Sequence, residues 1–162
     1  MNRNLTIASR LREVFLNGRW IANTNYKEQI LSVNWQQATQ KVKNLNTIAA
    51  LIYHINYYLG GLLSAFENGK IEIRDQYSFD LPPIDSESEW NKLVTEFLSN
   101  SEKFATKIEQ MEDKDFDQPF IDGKYGTLLR NIEGVIEHSY YHLGQISLII
   151  KLIAPNKSSE NY

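Results

Sequence analysis

Cysteine is absent from all 162 residues, so disulfides and zinc–thiolate sites are excluded and any metal ligand must come from histidine or carboxylate. An excess of charge of one sign is lacking too. Seventeen basic residues against 20 acidic ones leave a net charge of −3, which provides no basic field for a phosphate backbone or an anionic membrane surface. There is no internal repeat and no glycine-rich loop that would cradle a phosphate. The opening "MNRNLTIASRLREVFLNG" mixes charges into its apolar positions and lacks the continuous apolar stretch of a signal peptide. No later segment is expected to stay apolar long enough to span a bilayer. These absences point to a cytoplasmic protein with neither nucleic acid nor membrane as partner.

What is present is apolar residues at helical spacing. With 42% hydrophobic content, the chain can bury the core of one ordinary domain, read as residues 1–155, followed by a disordered tail at 156–162. Leu5, Leu11, Val14 and Phe15 mark a first helix that Asn17 and Gly18 end. One or two short helical pieces follow, capped by Thr24 or Asn25, and bring Trp35 and Ala38 towards the core. Ile48, Ile52, Ile55, Leu59, Leu62 and Phe66 predict a second long helix, with a glycine stop in "ENGK". The stretch "GKIEIRDQYSFDLPPID" holds two prolines and reads as a structured crossover. Ser86 with Glu89 is a capping-box signature for a third helix running to about Met111. A fourth runs from about Thr127 to Ile153, before Pro155. The expected fold is all-α, a four-helix bundle with one long crossover.

Histidine is scarce, and its placement carries the functional reading. His138 and His142, in "HSYYHLGQ", lie four apart on the fourth helix, and His54 lies within the second. Residues four apart share a helix face, so two imidazoles can reach one ion and a third from a neighbouring helix completes the set. Three ligands leave a coordination position open, as catalytic metals require. Ala50, Gly61 and Ala65 share a stripe with His54, and Gly134 precedes His138 by one turn, so small side chains are expected to leave a cavity there. Gln145 is a candidate partner for a metal-bound water or ligand, and Tyr57, Tyr58 and Tyr141 are candidates to line the pocket. The same spacing also fits ordinary histidines, with His54 bonded to a carbonyl in the core. Ser139 stands where zinc proteases carry glutamate in HExxH, which argues against peptidase activity, and neighbouring positions on a helix point apart, which argues against a serine nucleophile. No general acid or base is assigned.

"LREVFLNGRW", "NTIAALIYHINYYLGGLL", "LPPIDSESEW" and "LLRNIEGVIEHSYYHLGQISLIIKLI" together resemble the DinB/YfiT-like superfamily of metal-binding four-helix bundles, over nearly the whole chain. The specific part of the resemblance is one histidine in the second helix and HxxxH followed by "LGQI" in the last. It implies a divalent metal on His54, His138 and His142, and a homodimer. Characterised branches include metal-dependent transferases and isomerases that use bacillithiol, mycothiol or glutathione; many members have no assigned reaction. Two chemistries follow for a small-molecule substrate. A dication favours the deprotonated form of its ligand, so a low-molecular-weight thiol becomes a thiolate able to attack an electrophile, the sulfur coming from a cosubstrate because the chain has none of its own to offer as thiol. Water in the same position would make the protein a hydrolase. Zinc suits three imidazoles and one exchangeable ligand best, with nickel, iron or manganese as alternatives. A non-catalytic metal- or small-ligand-binding bundle is the competing reading, and a helical protein with incidental histidines a third.

Overall fold

The computed structural model describes residues 2–121 and 123–155; the expected tail at 156–162 lies outside the described residues. Six α-helices form a helical bundle, and no strand occurs among the described residues. α1 spans Arg3–Arg12 and runs straight into a π-helical turn at Glu13–Asn17. α2 is Tyr26–Leu31, α3 Trp35–Thr39, α4 Ile48–Asn68, α5 Glu87–Glu109 and α6 Leu128–Ile153.

The helix ends follow their capping chemistry. The side chains of Asn25, Asn34, Thr47, Ser86 and Thr127 each accept a hydrogen bond from a first-turn backbone N–H, which would otherwise lack a partner. Asn34 and Gln37 form a full capping box. At α5 only half of the expected box closes as drawn, because Glu89 Oε2 accepts from the Asp85 N–H at 2.7 Å and from Ser86 Oγ at 3.0 Å. α4 stops at Gly69, whose φ of 68° lies in the left-handed region that favours glycine.

α5 packs against both α1 and α4, and α4 faces α6. The centre is an aromatic triad, Phe15, Tyr26 and Phe97, with ring centroids 5.3–5.8 Å apart; burial of each such ring contributes about 1.5–3 kcal/mol. Two buried polar groups tie the short helices to the long ones: Tyr26 Oη donates to the Ser139 carbonyl at 2.8 Å, and Trp90 Nε1 donates to the Val33 carbonyl at 3.3 Å. Arg12 reaches Glu102 and Glu109 on α5.

One expectation is overturned. Ile48–Asn68 is long and apolar enough, by length and composition, to cross a membrane, so a membrane-length segment does exist in the chain. Half of that stretch is buried inside the bundle, and it carries buried His54 and Asn56, the latter hydrogen-bonded to Glu96 at 3.0 Å. The apolar composition is that of a helix facing core on more than one side.

Candidate metal centre

α4 and α6 bring the three histidines together. His54 faces α6 from the middle of α4, and the four-residue spacing stacks His138 and His142 on the facing side. The Nε2 atoms converge: His138 Nε2 lies 2.8 Å from His142 Nε2 and 3.2 Å from His54 Nε2. Two nitrogens each about 2.0–2.1 Å from one ion, at tetrahedral or octahedral angles, stand about 2.9–3.4 Å apart. One ligand atom from each residue lies within 4.8 Å of the others, so the group can hold a divalent metal. His54 and His142 are both 6% exposed, and His138 is half-buried.

Electrostatics keep the imidazoles neutral. Burial pushes His54 down to about 4, helped by repulsion from His142 and His138 and opposed by the Ser78 backbone and Asp75. Burial also lowers His138, with His142 adding to the effect, and lowers His142 against a hydrogen bond to Gln145. A neutral imidazole is the ligand form.

Tautomer matters equally. His142 Nδ1 donates to Gln145 Oε1 at 2.7 Å, which leaves Nε2 as the nitrogen with the lone pair facing its neighbours. Gln145, the candidate partner for a metal-bound water or ligand, engages the imidazole through its amide oxygen. Nδ1 of His54 is buried without a hydrogen bond of full geometry, although the Ser78 backbone acts on the ring. A proton held at Nδ1 towards the Ser78 carbonyl leaves the lone pair at Nε2, an arrangement shared by a core histidine and by a metal ligand; the convergence with His138 and His142 is what favours the ligand.

The tyrosines divide. Tyr58 is edge-on to His54 and His138, with centroids at 5.1 and 5.8 Å, and its Oη donates to Asp75 Oδ1 at 2.9 Å. Tyr141 packs edge-on to His142 at 4.9 Å but is 64% exposed, at the rim. Tyr57 is directed away: its Oη donates to the Arg74 carbonyl and accepts from the Arg74 N–H, clamping the crossover to α4. Gly61 also serves the crossover, since a Cβ there would fall 2.2 Å from Ile73 Cγ2. The smallness at that position admits the crossover, where a cavity at the histidines was expected. Gly134 does border a cavity, together with His138. Ser139 Oγ donates to the Val135 carbonyl, as a satisfied core hydroxyl does.

Sequence reasoning missed the crossover's contribution. Phe79 stacks flat on His54, with centroids 4.1 Å apart and planes 14° from parallel, and Asp75 and Ser78 come from the same short segment. An aromatic residue among loop residues was visible, but no periodicity ties it to His54.

A sequence profile described as the DinB superfamily matches residues 32–146, a span that includes all three histidines. No curated protein and no solved structure matches the chain.

Proposed function

The chain belongs to the DinB superfamily, and on that premise we propose that it is a divalent-metal-dependent enzyme of the DinB type, built as a four-helix bundle, that transfers a low-molecular-weight thiol to an electrophilic small molecule. The observation that carries the reading is the convergence of three Nε2 atoms at 2.8 and 3.2 Å from buried, neutral-leaning imidazoles. His54, His138 and His142 would hold the ion, zinc by preference, with nickel, iron or manganese as alternatives. The ion supplies Lewis acidity, which favours the deprotonated form of whatever occupies the open position.

The chain's own residues do the rest. Gln145 holds the His142 proton at Nδ1 and so presents Nε2 inward. Phe79 covers one face of His54 and Tyr58 one edge, which excludes water from those sides and strengthens local electrostatics. In the transfer, a bond forms between the thiol sulfur and the electrophilic carbon, the leaving group departs with its bonding pair, and the thiol proton passes to solvent. The same site running on water would give a hydrolase. The reading extends to a cytoplasmic homodimer without nucleic-acid or membrane partners, supported by the resemblance and the net charge of −3.

The test begins with metal content by mass spectrometry on untagged protein, beside His54→Ala and His142→Ala. About one divalent ion per chain, lost in both variants, is the expected result, followed by thiol consumption in the presence of an electrophile that disappears in His54→Ala. Absence of uptake when zinc or nickel is added would end the metalloenzyme reading. Metal uptake and ligand-dependent stabilisation without any product would convert it to a binding module.

A further inference from the structure

Beside His138 a cavity of about 260 Å³ opens between α4 and α6. Its walls are aliphatic: Ile55, Leu59 and Leu62 from α4, Val135 from α6, with Gly134 leaving one side bare. None of its lining side chains is an acid, a lysine or an arginine. Of the four polar residues that reach it, His138 belongs to the histidine cluster and the other three have their donors engaged elsewhere. Tyr58 Oη donates to Asp75, Ser139 Oγ to the Val135 carbonyl, and Asn131 Nδ2 to the Tyr125 and Thr127 carbonyls at 3.0 and 2.8 Å. The nearby Arg130 is exposed and paired with Glu137 at 3.2 Å.

We infer that this cavity receives a small neutral, apolar group and places it against His138, so that the substrate accepted here is an electrophile carrying an aliphatic or aromatic substituent. The inference rests on the proposed metal-dependent function only in calling the occupant a substrate. A carboxylate or phosphate entering the metal-free cavity would exchange water for aliphatic walls, and Arg130 at its edge is already paired with Glu137. An apolar group loses nothing and fills the space, and pockets of this kind take orientation from a few polar groups at one end. Here that end is the histidine cluster. The anionic parts of a thiol cosubstrate would accordingly stay outside, towards solvent.

The experiment is a ¹⁹F NMR titration of the full chain, metal-free and zinc-loaded, with 4-fluorotoluene and 4-fluorobenzoate. Saturable binding of fluorotoluene to both forms is expected, with fluorobenzoate at least about tenfold weaker in the metal-free form, where no ion can hold its carboxylate. Gly134→Leu fills the cavity from a position where an added Cβ meets nothing nearer than Arg130 Nη1 at 3.8 Å; it should weaken fluorotoluene binding at least about tenfold, whereas Gly134→Ala should retain it. Equal binding of fluorobenzoate to the metal-free wild-type chain overturns the inference without recourse to a variant. So does binding that Gly134→Leu leaves unchanged, since the probe would then sit elsewhere, as in the separate cavity of about 290 Å³ walled by Tyr53, Leu81 and Pro82. Selective fluorotoluene binding in a chain that takes up no zinc would refute the proposed function and uphold the cavity. Zinc uptake by a chain whose metal-free form does not discriminate between the probes would do the reverse.

Discussion

Gln145 shows how a single side chain sets the chemistry of its neighbour. An amide oxygen at 2.7 Å from His142 Nδ1 fixes the proton there, and a metal requires the lone pair at the other nitrogen. Gln145→Leu should therefore lower zinc affinity about 10–100-fold, while Gln145→Glu, which keeps an acceptor oxygen, should hold it near wild type. A zinc competition titration in which the leucine variant matches wild type would show that Gln145 does not set the tautomer. The metal candidates themselves were legible because helix geometry turns a four-residue spacing into a shared face. Gln145's role was half legible: its spacing of three from His142 placed it near the site, but spacing could not say whether it meets the imidazole or a bound ligand. Phe79, Ser78 and Asp75 were not legible, because their segment has no period and its position is set by tertiary contacts.

At the scale of elements, those contacts are concentrated where the crossover meets α4. Gly61 lets Ile73 approach so closely that an added methyl would lie 2.2 Å from Ile73 Cγ2 and 3.2 Å from its Cβ. In an open helix, glycine to alanine stabilises by about 1 kcal/mol. Here the overlap should win, and Gly61→Ala is expected to cost about 1–3 kcal/mol in urea denaturation. Adding Ile73→Ala should recover part of the loss by removing the atoms in conflict; two losses that simply add would mean that the positions are not coupled. Gly61 was visible in the sequence as a small residue on the His54 face, but which partner needed the space was not. The same limit runs through the short helices. α2 and α3 have six and five residues, too few for a period to repeat, so their number stayed open although Asn34 with Gln37 carries the same signature that revealed Ser86 with Glu89. The long helices repeat their pattern over five or more turns, and Gly69 and Thr127 bound two of them by chemistry that reads directly from residue type.

For the molecule as a whole, holding three imidazoles together in its interior couples stability to pH. Burial, followed by repulsion from the other two imidazoles, holds His54 at about 4; burial with repulsion from His142 lowers His138, and burial lowers His142, whereas in the unfolded chain each titrates near the ordinary value of about 6.5. Below about 6.5 the unfolded chain therefore takes up protons that the folded chain refuses, and unfolding gains in proportion. The loss begins as pH falls through the unfolded value and levels off near the folded one. Metal-free protein should lose about 1–3 kcal/mol between pH 7 and pH 4.5 from this source. Carboxylates lowered by their partners, such as Asp117 beside Arg3, add a loss that starts lower, near the ordinary carboxylate range of about 4. Chemical denaturation of wild type and His54→Leu at half-unit pH steps separates the two: the variant should show a shallower fall between about pH 6.5 and 4 and the same fall below it. Excess zinc should raise stability at pH 7, because it binds the folded state, and that increment should shrink over the lower pH range as protons compete for the same nitrogens. Metal-free stability that stays level from pH 7 to pH 5 would mean that the cluster accepts protons in the folded state as readily as in the unfolded one, and the neutral, ligand-ready histidines on which the proposed chemistry depends would not be there.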